Sequence, residues 1–561
     1  MTKSSQGRFS IRIELPALIL LSLGLHAWAG AGDNLFTKYF HHQKRESVVV
    51  GPTRVPAVRA DGKVHLSERE AIEMALRQNL DINVARHNSV FSLWGVEALR
   101  GIYDPSFTFD LTWDRQKIPT GSVLAGGNSV TNVATAYNFD YTQSFSTGTA
   151  VEGSFTGTRN RSTNFFSSLV PSIDTNFRMT LRQSLLKGFG RVAADYQIEI
   201  ARNNRDVSDQ DFKQKVVEVV AQVQGQYWEL QFALEDIKVK EKSLQLAQTT
   251  LEHNRARLEV GTAARLTVIE AEAEVASRRE ELIRAQYNSR QVQDQLVQLI
   301  TSFQDPREFP AEIIPSDAVF SPAPVTEPID QLVRLAEELR PEVEKADLEV
   351  VNQSVNLKLA RDQLRPTLDL SLSYQQFGLG GVQVIRDFSQ GFVNPQIVDV
   401  IPGGVGDSLS QLFGGDFHGY SLGVRLNLPI FNTEARAESA QAQIALDQSQ
   451  LRKRALKQVV TLEIRTALTR IEMNRARLEA SQAAVRAASQ RLEGEQARFQ
   501  VGLGTTRELI EAQRDLVQAQ SLLLRGQVDL IKSHVELDKA VGRTLESHHI
   551  SLRDALRMNV K

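Results

Sequence analysis

The sequence predicts an α+β membrane protein in which strands of an outer-membrane β-barrel are continued by long antiparallel coiled-coil α-helices, with two structural repeats per chain. Three observations carry this reading. Val216, Val223, Leu230, Ile237, Leu244, Leu251 and Leu258 recur every seven residues on a polar background, which is a coiled-coil seam. The seam returns, shifted by 241 residues, at Ile464, Ile471, Leu478, Val485, Leu492 and Phe499. Upstream of the first seam the period changes to two: Phe107, Phe109, Leu111 and Trp113 alternate with Thr108, Asp110, Thr112 and Asp114, as in strands with one apolar and one polar face.

In chain order, Lys3, Arg8 and Arg12, the apolar run Leu15 to Leu25, and Ala27-Trp28-Ala29 read as a signal peptide over residues 1–29. That apolar run is too short for a spanning helix, which needs about 20 residues. Residues 30–61 are irregular and basic and read as a flexible extension. The first repeat, residues 62–302, opens at the Ser67-x-x-Glu70 capping box with a helix running to about Arg100 before Asp104-Pro105. Strands follow around Phe107, Tyr137 to Tyr141, Val151 to Phe155 and Phe177 to Leu181, separated by Ser/Thr/Asn/Gly-rich loops. An arm of about 68 residues, from about Val192 to Glu259, spans about 100 Å. It ends at Val260-Gly261, where glycine permits a left-handed C-cap, and a return helix carries Val268, Val275 and Leu282.

Residues 303–329, with six prolines, read as a stiff linker. The second repeat, residues 330–543, repeats the order: Arg340-Pro341-Glu342 lies over Asn79-Leu80-Asp81, Pro366 over Pro105, Thr433 to Gln500 over the first arm, and Val501-Gly502 over the first turn. Residues 544–561 form a tail. The two halves differ by about 20 extra residues in the first strand region.

Four to six strands per chain are too few to close a barrel, and open edges are not tolerated in lipid, so several chains must share one wall. The net charge of −2 gives no reason to expect nucleic acid. The absence of cysteine excludes disulfides and cysteine-ligated metal. No nucleophile elbow, phosphate loop or helical metal-ligand spacing occurs, so neither an enzyme nor a cofactor is expected. His41-His42 and His548-His549 read as solvated pairs.

The paired turns Val260-Gly261-Thr262 and Val501-Gly502-Leu503, each leading to Ile-Glu-Ala, together with Arg340-Pro341-Glu342 and the strand exits Leu181 to Leu186 and Leu426 to Phe431, resemble the outer-membrane efflux proteins, the TolC-like channel family. The resemblance covers about Leu66 to Gly542. It implies a homotrimer, a shared 12-stranded barrel in outer-membrane lipid, a periplasmic helical tunnel, and docking to an inner-membrane transporter through a periplasmic adaptor protein. The implied function is a passive export duct of a tripartite efflux or type I secretion system, and the competing class is a structural coiled-coil spacer without transport. The strands near Phe139 and Phe155 depart from the family pattern. If the hairpin turning at Thr147-Gly148 enters the barrel, 18 strands are expected in place of 12.

Glu508 and Glu511 sit three apart inside the second turn, on one helical face. The resemblance places acidic residues there, as a gate or selectivity ring; the alternative is helix-end chemistry, since Thr505-x-x-Glu508 is a capping box. Arg507 and Arg514 are candidate latch residues toward neighbouring chains. Val260, Gly261, Thr262, Val501, Gly502 and Leu503 are candidate adaptor contacts at the hairpin tips.

Overall fold

The computed structural model describes residues 63–121, 127–302, 312–389 and 396–550. The signal peptide, the extension and most of the tail fall outside these residues, as do residues 303–311 of the linker. The first repeat contains β1 (Val64–Leu66), α1 (Glu68–Gln78), α2 (Leu80–Arg100), β2 (Ser106–Pro119), β3 (Ser129–Ser144), β4 (Thr149–Ser162), β5 (Leu169–Ser184), α3 (Tyr196–Glu259) and α4 (Arg265–Ile300). After β6 (Ile313–Pro315) the second repeat contains α5 (Ile329–Leu339), α6 (Pro341–Asp362), β7 (Thr367–Asp387), β8 (Gln396–Ile401), α7 (Val405–Gly414), β9 (His418–Asn427), α8 (Thr433–Gln500) and α9 (Thr506–Val541).

The Ser67 capping box forms, with the Ser67 N–H donating to Glu70 Oε2 at 2.9 Å. The helix it opens is broken, however. Asn79 leaves helical geometry, and its side chain accepts from the Ile82 N–H at 3.1 Å, starting a second helix. The break recurs between α5 and α6, where Arg340 is extended and Pro341, lacking an N–H, takes the first helical position. The first arm begins at Tyr196, four residues later than Val192, because Arg191–Ala194 closes a turn of its own. Asp195 then accepts from the Tyr103 hydroxyl at 2.5 Å.

The heptad seams are packed as their period requires. Val216, Val223 and Leu230 are buried, and Ile464, Ile471, Leu478 and Leu530 share a core with Leu332, Val343 and Leu537. The linker is more than a spacer: β6 pairs in parallel with β1. Beyond β6, Asp317 accepts from the Glu68 N–H at 2.7 Å and the Tyr227 hydroxyl at 2.6 Å, while Phe320 packs edge-on against Trp228. Residues 312–320 thus strap both ends of the first repeat to the middle of α3.

One sheet holds β2-β3-β4-β5-β7, and the far edge of β7 is shared end to end by β9 and β8. Among the described residues the sheet therefore has six strand columns. The Thr147-Gly148 hairpin, β3–β4, is paired on both sides and belongs to the sheet. Its turn is seated at the helical end, where the Gly190 N–H donates to Thr147 O at 3.2 Å. Antiparallel partners share a face. Phe107, Phe109 and Leu111 therefore lie with Tyr141, Phe139 and Tyr137, then with Phe155, Phe177 and Met179, and finally with Leu370, Leu372, Tyr374, Tyr420, Leu422 and Val424. The opposite face carries Asp110, Asp140, Glu152, Thr156, Arg178 and Ser373, with Ile118, Val130, Phe377 and Leu379 among its apolar exceptions.

α7 lies on the aromatic face, over a shelf of small residues. A Cβ on Gly378 would stand 2.0 Å from Ser408 O, and one on Gly380 2.4 Å from Gly404 O. Ser408 Oγ meets Thr175 Oγ1 at 2.7 Å. Below the sheet, α2 packs on α3, α3 on α6, and α6 on α8. The wall accordingly ends in β2 and α2 at one side and in β9 and α8 at the other.

Candidate functional site

The two helical hairpins end in turns of the same construction. In the first, the Thr262 N–H donates to Arg257 O at 2.8 Å across Gly261, whose φ is +75°; in the second, the Leu503 N–H donates to Arg498 O at 2.8 Å across Gly502, at +80°. Each is the left-handed cap that glycine adopts without strain. Val260 (74% exposed), Val501 (71%) and Leu503 (76%) project from these tips, with Thr262 also exposed. Small apolar clusters, Leu251-Val268-Ala271 and Leu492-Phe499-Leu509-Ala512, hold each tip together just behind the turn.

The restart of the return helix differs between the copies. Thr505 caps α9, and Glu508 closes the box by accepting from the Thr505 N–H at 2.9 Å and from its hydroxyl at 3.0 Å. The backbone hydrogen bond from Thr505, aided by its hydroxyl, holds the Glu508 carboxyl below the ordinary carboxylate range. In the first copy Ala264 stands at the cap and offers no side-chain bond. Glu511 accepts from Arg507 Nε at 3.1 Å, one turn back on its own helix.

Arg514 reaches the first hairpin of the same chain, donating from Nε to Glu274 Oε1 and Oε2 at 3.2 and 3.1 Å. Arg278 binds Glu274 from its other side at 2.6 Å and continues to Glu281 at 2.9 Å, which also receives Lys240 at 3.3 Å. Burial, the largest single influence on Glu274, acts to raise its pKa, but the hydrogen bonds and charges of Arg514 and Arg278 outweigh it and hold the carboxyl below its ordinary value.

A family model for outer membrane efflux proteins matches residues 150–302 and 332–543, well over half of the chain. The chain belongs to that family. As an outer membrane efflux protein it is a transport channel component of the outer membrane and not an enzyme. No curated protein sequence matches it significantly. Among solved structures it is similar to the Campylobacter jejuni CmeC outer membrane channel, at 16% identity over 88% of this chain and 89% of that one, with a TM-score of 0.60. It is also similar to the open state of the Neisseria gonorrhoeae MtrE channel, at 19% identity over 88% and 94%, with a TM-score of 0.58. The outer-membrane channel OprN matches at 16% identity over 85% and 89%, with a TM-score of 0.60. At these identities the likeness is one of fold.

In this efflux protein the contact between the two hairpins carries a row of polar pairs beside apolar packing of Leu246 on the Leu492-Phe499-Leu509 cluster, and the sequence reading missed this row along with Glu274. Glu229 receives Arg525 at 2.6 Å and Lys532 at 2.9 Å; Asp236 receives Ser521 at 2.7 Å; Thr250 receives Gln513 at 3.1 Å; Asn254 receives Thr506 at 3.2 Å. Arg257 stacks over Phe499, 5.1 Å from the ring centre. The signal was available: Glu229, Asp236, Ser243, Thr250 and Arg257 form a second, polar stripe on α3 with the same seven-residue period as the apolar seam. His548, from the one described histidine pair, meets Gln224 at 2.9 Å. Among the described residues no cluster of His, Asp and Glu is arranged to hold a metal.

Proposed function

We propose that three copies of this chain form a passive export duct that takes substrate from an inner-membrane pump, through a periplasmic adaptor, across the periplasm and the outer membrane. The observation that carries the multi-chain reading is the pair of unfinished edges. Among the described residues β2 and β9 each have one unpaired side, and lipid offers no partner for backbone N–H and C=O groups. The helices that continue those edges expose apolar residues where a neighbour would sit: Val84, Phe91 and Trp94 on α2, Ile444 and Leu451 on α8. Arms of 64 and 68 residues, about 100 Å long, suit a periplasmic tunnel and exceed what a barrel alone requires.

The hairpin tips are the adaptor-facing end in this reading, and Glu508 and Glu511 line its mouth. The polar contact between hairpins supports a gate at that end. Hydrogen-bonded and charged pairs can exchange with water or with an adaptor at a net cost of about 1 kcal/mol each, whereas opening an apolar seam exposes several leucines at about 2 kcal/mol each. A spacer without transport has no use for an aromatic-faced sheet of six columns, which weighs against that alternative. The decisive experiment is planar-bilayer conductance of the purified protein, with native mass in detergent. A closed spacer gives no conductance, and a stable single-chain particle sinks the duct. Deleting the protein is expected to sensitise cells to toxic compounds only where the partner pump is present.

A further inference from the structure

We propose that β2 of one copy pairs antiparallel with β9 of a second copy in a single register, Trp113 opposite Tyr420, so that three chains close an eighteen-stranded wall. The proposal rests on the multi-copy reading above and adds the partner surface, the register and the strand count. β2 runs antiparallel to β3, and the alternation continues through β4, β5 and β7 to β9, so β9 of one copy and β2 of the next have opposite directions, as an antiparallel ladder needs.

The register is set by bringing the helical ends of the two edge strands level, with Ser106, where β2 starts, opposite Asn427, where β9 ends. A line drawn across the strands through Cα partners runs Phe107, Tyr141, Gly153, Met179, Tyr374, Tyr420. It starts one residue above Ser106 and ends seven residues above Asn427, so with these two ends level it climbs six residues along the strands in one chain. With those ends level the line meets the next β2 six residues above Phe107, at Trp113, and threefold symmetry repeats the same step in every chain. The climb of eighteen residues over eighteen strands corresponds to a strand tilt of about 35°, within the range of closed barrels.

The side chains agree with this pairing. It sets Trp113 against Tyr420, Leu111 against Leu422, Phe109 against Val424 and Phe107 against Leu426, four apolar pairs on the aromatic face. Sliding by two residues one way lowers the tilt to about 25°, below that of known barrels. Sliding the other way puts Arg115 beside Tyr420 on the aromatic face and extends the ladder to Pro429, which has no N–H to give. An eighteen-stranded wall at this tilt has a backbone diameter of about 34 Å, against about 23 Å for twelve strands.

The chain contains no cysteine, which makes cross-linking a clean test. Side chains on one face of a ladder are all hydrogen-bonded pairs or all non-hydrogen-bonded pairs, and only the closer type suits a disulfide, so both faces are probed. The double variants are Leu111→Cys with Leu422→Cys and Thr112→Cys with Ser421→Cys. The shifted controls combine Leu422→Cys with Phe109→Cys or Trp113→Cys, and Ser421→Cys with Asp110→Cys or Asp114→Cys. Native mass of each reduced variant identifies those that assemble.

Oxidation is expected to link chains into a product of three through at least one in-register pair, roughly tenfold more than through its controls. Preferential linking of a shifted pair overturns the register. No linking in particles whose mass is three chains overturns the β2–β9 contact while leaving the duct standing. A mass of one chain overturns the duct reading itself.

Discussion

Arg514 on α9 and Glu274 on α4 join the second hairpin to the first through a carboxylate only 4% exposed, and Arg278 holds that carboxylate from the other side. Glu274 therefore couples two helices, α4 and α9. Its replacement by alanine leaves Arg514 unpaired and Arg278 with Glu281 alone, at an expected cost of about 2 kcal/mol. Arg514→Ala, at a half-exposed position, is expected to cost about 1 kcal/mol. Chemical denaturation checks both values, and both variants should raise single-channel conductance or open probability. Unchanged conductance would place the gate elsewhere.

The same pair has a pH signature. The folded Glu274 carboxyl titrates below its unfolded value, so its contribution is present above about pH 4.3 and is lost as the pH falls through the depressed folded value. Acid titration of helix content should show this loss in the wild type. In Glu274→Gln that portion of the pH dependence should be missing.

The Glu508→Gln/Glu511→Gln double variant separates gating from helix-end chemistry. Glutamine preserves the capping geometry with Thr505, so stability should change by less than about 1 kcal/mol. Carboxylates gathered at a threefold mouth attract cations, so the variant should lose cation preference and block by trivalent cations. Unchanged selectivity and block in single-channel recording would reduce both residues to caps of α9.

Gly502 and its neighbours distinguish turn geometry from recognition. A Cβ on Gly502 meets no atom within 4 Å, so Gly502→Ala incurs only the left-handed backbone penalty of about 1–2 kcal/mol. Val501→Ser/Leu503→Ser should leave stability unchanged and weaken capture by the adaptor. Thermal unfolding and adaptor pull-down read the two effects apart; adaptor capture that survives the serine pair would remove these tips from the interface.

Gly378→Ala tests the shelf beneath α7. Its new Cβ would overlap Ser408 O, so α7 must leave the aromatic face while β5 and β7 remain paired. Protease cleavage within residues 402–417 of the assembled protein should become faster. Retained protection would show that the shelf deforms without releasing the helix.

Features of short range were legible from the chain alone. The heptad seams are set by local side-chain periodicity, the glycine turns by one backbone conformation, and the Ser67 and Thr505 caps by residues three apart. The two-residue alternation likewise marked the strand faces correctly, because each strand's own pleat decides them. The duplication allowed one half to check the other, and the turns at Gly261 and Gly502 share the same backbone hydrogen bonds.

Long-range partnership was decided only by the tertiary structure. Arg514 has carboxylates near it in sequence, yet it binds Glu274, 240 residues away, because the two hairpins pack side by side. The prolines of the linker suggested a spacer, but β6 finds β1 and Asp317 finds Tyr227 once both strands pack against α3. The break at Asn79 depends on a side-chain cap that competes with an otherwise good helix. The sequence by itself determined the long helical arms, the long strands, where each hairpin turns and which strand face is apolar, since these depend on neighbours within a few residues. Only the tertiary structure decided that the Thr147-Gly148 hairpin occupies the middle of the sheet and that α7 rests on glycines of β7, because both depend on contacts between residues far apart in the chain.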